Sequence, residues 1–267
     1  MLRVFRTLRQ QLLPKNKFGK YLLYAIGEIL LVVIGILIAL QVNTWNEGRV
    51  EKAEEQAILR QLKTEFTLNL TQLDDKIKSK EALMSSARTL FDYIDHSETR
   101  IQDSIDFHLG RTIPFPTFDP IVNDLASSGA LRLIQSDSLK LMLSLWTSDI
   151  KNVQEDELAW KFYRDHYYLP FLVEHYQLRT IRDLAIKSGL LNNFLITPED
   201  GGRKEEDQSI GRSVHPADSD HLLSLPNFED HLERALTSNT FSHAQSLILR
   251  EKILVIIDLL DGELASE

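Results

Sequence analysis

Two patterns of apolar residues follow one another along the chain. From Leu22 to Leu40 the sequence reads LLYAIGEILLVVIGILIAL, nineteen residues apolar on every side, with Glu28 as the one ionisable group. Such a helix rises about 28 Å, close to the ~30 Å hydrocarbon core of a bilayer. Tyr21, Tyr24 and Trp45 stand at its ends, where aromatic rings favour the headgroup layer. The pattern predicts a transmembrane helix over 21–42. Ala39, Leu40 and Gln41 offer no small-residue cleavage exit, so the segment reads as an uncleaved anchor. Beyond it the pattern narrows to a stripe. Leu59, Leu62, Phe66, Leu70, Leu73, Ile77, Lys80, Met84, Ala87, Phe91 and Ile94 recur by threes and fours, Lys80 being the polar exception. With no Gly or Pro between Val50 and Asp95, the anchor should continue into a long amphipathic, coiled-coil-like helix. That helix is either an oligomeric stalk or one member of an intramolecular bundle.

Further on the pattern stays helical and strand signals are nearly absent. A short helix is expected around Ile101–Leu109, then a break at Gly110 and Pro114-Phe115-Pro116. Asp119 as N-cap and Pro120 at the first position predict a helix ending near Gly129. Ser136 should cap another, running through Trp146 and Trp160 to Tyr176 with a bend at Pro170. Arg179–Leu195, Phe228–Leu236 and Ser242–Leu260 complete the helices, and 197–226, rich in Gly, Asp, Ser and Pro, reads as an exposed loop. The expected class is all-α: residues 1–20 a basic segment, 21–42 the membrane helix, and 43–267 a helical bundle outside the cytoplasm.

Charge gives the anchor a direction. Arg3, Arg6, Arg9, Lys15, Lys17 and Lys20 precede it with no acid among them; the net −9 is thus +6 before the span, −1 within it and −14 beyond. The positive-inside rule places the N-terminus in the cytoplasm and the acidic bulk across the membrane, in the periplasm of a bacterium. Ile253–Leu260, eight residues and broken by Asp258, is too short for a second crossing. The acidic balance argues against nucleic-acid partners, and the absence of cysteine excludes disulfides, thiolate metal sites and cysteine nucleophiles. Within the first residues, Leu2, Phe5, Leu8 and Leu12 form a stripe that Pro14 ends, which suits either an interfacial helix or a plain basic tail.

A carboxyl group facing lipid costs about 2.5–3.5 kcal/mol at mid-bilayer. At about 100° per residue, Tyr24, Gly27, Glu28, Gly35 and Ala39 fall within an arc of about 120°. Gly35 and Ala39 have the small-xxx-small spacing that lets helix backbones approach. This face either meets another membrane helix, from a second copy or a different protein, or Glu28 simply reaches toward the interface.

Chemistry is harder to find. His96, His108, His166, His175, His215, His221, His231 and His243 make no H-E-x-x-H and no i, i+4 pair. Phosphate-binding glycine loops and G-x-S-x-G are absent. Neither a cofactor nor a catalytic residue is indicated, so no enzyme is expected. Trp160, Tyr163, Tyr167, Tyr168 and Phe171 form an aromatic cluster at helical spacing, which is either bundle core around Pro170 or the wall of a small-ligand pocket.

Two stretches carry a resemblance. The first runs from Asn16-Lys17-Phe18-Gly19-Lys20-Tyr21 through Gly27-Glu28 and Gly35 to the exit Asn43-Thr44-Trp45-Asn46-Glu47. The second comprises Phe118-Asp119, Leu125, Ser127-Ser128-Gly129, Leu131 and Leu133-Ile134. Together they resemble a family of single-pass bacterial inner-membrane proteins known only as a domain of unknown function. The resemblance implies an anchored topology and a helical exterior domain, and it lends no activity. Two functions are then expected: a non-enzymatic scaffold or accessory subunit acting through the membrane face and the acidic bundle, or a periplasmic ligand-sensing domain signalling through a separate transducer.

Overall fold

The computed structural model describes residues 17–121, 130–187, 211–215 and 217–265. Among them there is no strand; the protein is all-α, as the apolar pattern requires. The chain divides into two compact units, Met1–Ala57 and Ile58–Glu267. Helix α1, Lys17–Asp95, is unbroken over 79 residues, so the anchor does continue into the long helix.

In the first unit, every side chain from Tyr24 to Val50 is exposed. The helix is long and apolar enough to cross a membrane, with a mean hydropathy of 2.6 over its most apolar window.

The second unit is a helical bundle. After a 3-10 turn at Ser97–Thr99 come α2 (Gln102–Thr112), a 3-10 turn at Ala130–Arg132 and α3 (Asp137–Tyr163). A π turn, Arg164–Tyr168, joins α3 to α4 (Leu169–His175), followed by α5 (Leu178–Lys187), α6 (Ser219–Leu223) and α7 (Pro226–Ala265). The stripe of α1 from Leu59 to Ile77 is buried in one apolar cluster with Trp146, Ile150 and Val153 of α3 and Leu249, Ile253 and Ile256 of α7. It therefore serves an intramolecular bundle. A second cluster joins Leu83 and Leu90 of α1 to Trp160, Tyr168, Ile105, Ile181, Leu222 and Leu232.

Between these clusters lies a polar layer. Lys80 is fully buried, and its Nζ donates to Glu157 Oε1 at 2.6 Å, Ser246 Oγ at 2.7 Å and the Ser242 carbonyl at 3.5 Å. These bonds occupy the donors of one ammonium. The other carboxylate oxygen of Glu157 accepts from the Phe118 amide at 2.8 Å, and Gln154 Nε2 donates to the Phe118 carbonyl at 2.9 Å. Burial pulls the Lys80 ammonium below the usual lysine range, and the charge of Glu157 opposes that fall.

The structure departs from the sequence expectations where side chains compete for the backbone. No helix starts at Asp119-Pro120: residues 113–121 are non-helical, and 122–129 lie outside the described residues. Asn69 holds Ile121 by both its amide and its carbonyl, at 2.8 and 2.9 Å, while Glu157 and Gln154 hold Phe118. Ser136 sits at the N-cap of α3 but makes no side-chain cap bond. The irregularity expected at Pro170 is the π turn before it. Proline offers no N–H to its own preceding turn, and the Leu169 amide reaches back to the Arg164 carbonyl.

The two closing helices are one. Phe228, Leu232, Ala235, Asn239, Ser242, Ser246, Leu249, Ile253, Ile256 and Leu260 line its buried face at strict three–four spacing. Asn239 and Thr240 bond back to the carbonyls of Ala235 and Leu236, so the polar stretch stays helical. Residues 219–223 of the expected loop form α6, with Leu222 and Leu223 buried, while 188–210 lie outside the described residues. So does the Leu2–Leu12 stripe, which suits an interfacial helix or a basic tail.

Substituting Lys80→Met alone strands a buried carboxylate and should lower unfolding stability by about 3–5 kcal/mol. The double variant Lys80→Met/Glu157→Gln should recover most of that loss. Urea titration of the detergent-solubilised chain, followed by fluorescence of Trp146 and Trp160, measures both. A double variant as unstable as the single one would contradict the pairing.

Candidate functional site

The five residues expected to share one side of the apolar helix lie open. Tyr24 and Glu28 are exposed, and a Cβ built on Gly27 or Gly35 would meet nothing within 4 Å. Ala39 is exposed as well. The exit is tied within the helix: Asn43 Nδ2 donates to Glu47 Oε1 at 2.7 Å, Thr44 Oγ1 to the Leu40 carbonyl at 3.0 Å, and the Arg49 guanidinium lies 5.8 Å from the centre of the Trp45 ring.

The aromatic cluster has two fates. Trp160 and Tyr168 are core residues; Trp160 Nε1 donates to the Pro114 carbonyl at 3.0 Å, and the Tyr168 hydroxyl meets Thr112 Oγ1 at 2.6 Å. Tyr163 and Phe171 gather around His231, whose Nδ1 is 2.9 Å from the Tyr163 hydroxyl and whose ring lies 4.6 Å from that of Phe171. Tyr167 is exposed. None of the five lines the cleft described next.

That half-open cleft, with a cavity volume of about 520 Å³, lies beside the cluster. Its walls come from four places: Lys76 on α1; Gly110 and the Ile113–Thr117 segment; Arg164 and Leu169 at the π turn; and Leu178, Ile181, Arg182 and Ala185 on α5. Gly110 lets α5 come close, since a Cβ there would stand 3.0 Å from Ile181 Cγ2. Arg164 is held on two sides. Its Nε and Nη2 engage Asp165, its guanidinium lies 4.1 Å from the centre of the Phe115 ring, and Nη1 keeps a long 3.5 Å contact with the Ile113 carbonyl. Asp165 is held below the usual carboxylate range by Arg164 and Lys161, against a desolvation that works the other way. No carboxylate lines the cleft among the described residues. Nothing in the local spacing of Lys76, Arg164 and Arg182 sets them apart in the sequence.

A second polar knot pins α6 onto α2. Tyr176 donates to Asp106, Gln102 Nε2 to the Tyr176 hydroxyl at 2.7 Å, and Ser219 Oγ to Gln102 Oε1 at 2.7 Å. Burial and the neighbouring Asp106 push the Tyr176 hydroxyl far above the ordinary tyrosine range. Among the described residues, no group of three or more acidic, histidine or cysteine side chains is placed to hold a metal ion.

His231 and His108 share one electrostatic property: burial lowers both from the ordinary 6.5, and Arg111 adds to the effect at His108. The folded chain then binds fewer protons than the unfolded one below that value. Stability is held above pH 6.5 and lost as pH falls through the lowered values. The double variant His108→Gln/His231→Gln should flatten this decline between about pH 7 and pH 5 in urea titrations. An unchanged slope would refute the assignment.

No curated protein and no solved structure matches the chain. Residues 28–103, from Glu28 through the Asn43–Glu47 exit and the remainder of α1 to the start of α2, match the family of unknown function DUF6090.

Proposed function

We propose that the chain is a single-pass protein of a bacterial cytoplasmic membrane, with its N-terminus inside and its helical domain in the periplasm. In this reading it acts without catalysis, as a scaffold or accessory subunit that contacts another membrane helix through Tyr24, Gly27, Glu28, Gly35 and Ala39. The observation that carries it is the uncovered helix: residues 24–40 are apolar all round apart from Glu28 and exposed throughout. A helix satisfies its own backbone, so lipid can solvate it. Glu28 fits lipid poorly, and a partner helix approaching over Gly27 and Gly35 would relieve its cost. The +6 flank supports the direction. A second reading, a ligand-sensing domain coupled to a separate transducer, draws support from the basic cleft of the second unit.

The natural lack of cysteine makes a crosslinking scan clean. Single cysteines at Gly27, Gly35 and Ala39 should crosslink in native membranes to a second copy or to another membrane protein. Cysteines at Ile26, Val33 and Leu37, on the opposite side of the helix, should not. Glu28→Leu should weaken the capture. Equal crosslinking around the whole helix would sink the contact face.

A further inference from the structure

The cleft between α5, the π turn and the Ile113–Thr117 segment carries a second inference, which deepens and rests on the ligand-binding reading. We infer that it binds a small amphipathic carboxylate: one anionic head on a short aliphatic tail. Its volume of about 520 Å³ lies within the range of small-molecule sites, roughly 300–1,000 Å³. Its walls are those of a site for an amphiphile, with Phe115, Leu169 and Ile181 as the apolar part and Lys76, Arg164 and Arg182 as the charged part. Three cationic side chains and, among the described residues, no carboxylate line the cleft, while Asp165 engages Arg164 from outside the lining.

Arg164 supplies the most defined contact. Asp165 and the Phe115 ring fix its plane, so little side-chain entropy remains to be lost on binding. Nη1, with only the long contact to the Ile113 carbonyl, is the edge that meets a carboxylate oxygen. Lys76 and Arg182 contribute charge to the lining whatever else they touch. The tail lies against the apolar wall formed by α5 and Leu169. A neutral alcohol of the same length keeps the wall and loses the head. A membrane phospholipid has an anionic head too, and the two sources are separable.

The test is equilibrium dialysis of radiolabelled octanoate against the full chain in phosphatidylcholine nanodiscs, with empty discs as background. Saturable uptake above background is expected. It should fall about tenfold or more in Ala185→Trp, which fills the cavity, and in Lys76→Gln/Arg182→Gln, which removes charge. Octanol should compete at least about tenfold more weakly than octanoate. If Ala185→Trp fails to fold by circular dichroism, the charge variant decides alone. Octanol competing equally would overturn the proposal while leaving a ligand-binding cleft. Uptake lost in phosphatidylglycerol discs would assign the cleft to a membrane lipid and overturn the free carboxylate. No uptake above empty discs would overturn the proposal and leave the broader ligand-binding reading to other ligand classes.

Discussion

An ammonium group sealed from water must find acceptors, and the position of Lys80 dictates where the rest of the bundle can sit. Apolar layers alone would not do this. The buried face of α7 repeats by threes and fours along its length, and that of α3 is nearly as regular. Sliding either helix by one turn, about 5.4 Å, would still bring leucines and isoleucines against leucines. Such a slip of α7 would move the Ser246 hydroxyl away from Lys80. One of α3 would leave Lys80 facing an apolar side chain and Glu157 without its cation. That arrangement costs several kcal/mol, whereas the aligned pair is close to neutral against a hydrophobic isostere. The pair contributes little net stability and a great deal of discrimination. Glu157 extends the constraint by holding the Phe118 amide, so a segment with no regular structure is placed by the same layer.

This layer also explains which parts of the fold were legible. The all-α class, the unbroken α1, the short helix after Ile101 and the long helix beginning after Ser136 follow from spacing, because apolar burial at helical period is a local signal. Errors gathered where a buried face turns polar. The gap expected between Leu236 and Ser242 holds Asn239, yet Asn239 lies on the buried face of α7 in step with Ser242 and Ser246, whose carbonyl and hydroxyl accept from Lys80. Lys80 looked like an intruder in its stripe for the same reason. Asp119-Pro120 has a helix-start signature, but Asn69 bonds both backbone groups of Ile121, and two long-range bonds outweigh a local preference. Polar core residues are decided by partners far away in sequence, which periodicity does not see.

The candidate sites follow a similar division. Tyr24, Gly27, Glu28, Gly35 and Ala39 belong to one helix, so angle alone places them on a shared side. The cleft is not placed that way. Lys76, Arg164 and Arg182 come from different elements, and only the packing of α5 on α2 at Gly110 brings their walls together. The aromatic residues of 160–171 were a partial pointer. They mark the π turn that places Arg164 in the cleft, but Trp160 and Tyr168 face the core, Tyr163 and Phe171 gather at His231, and Tyr167 is exposed.

Helix α1 itself shows how one backbone conformation serves two surroundings. Hydrogen bonds along a helix are satisfied internally, so nothing in the main chain need change between a segment apolar on every side and one apolar along a stripe. What changes is the side-chain pattern, and it changes across Asn43–Glu47. Asparagine and threonine there have lower helix propensity than leucine, and their side chains can compete for the backbone. Instead Asn43 bonds Glu47 and Thr44 bonds the Leu40 carbonyl, each one turn away along the helix. Local polar groups that usually compete with a helix are turned along it. The region matched by the family begins within the all-round apolar segment, spans this junction and ends just past the stripe.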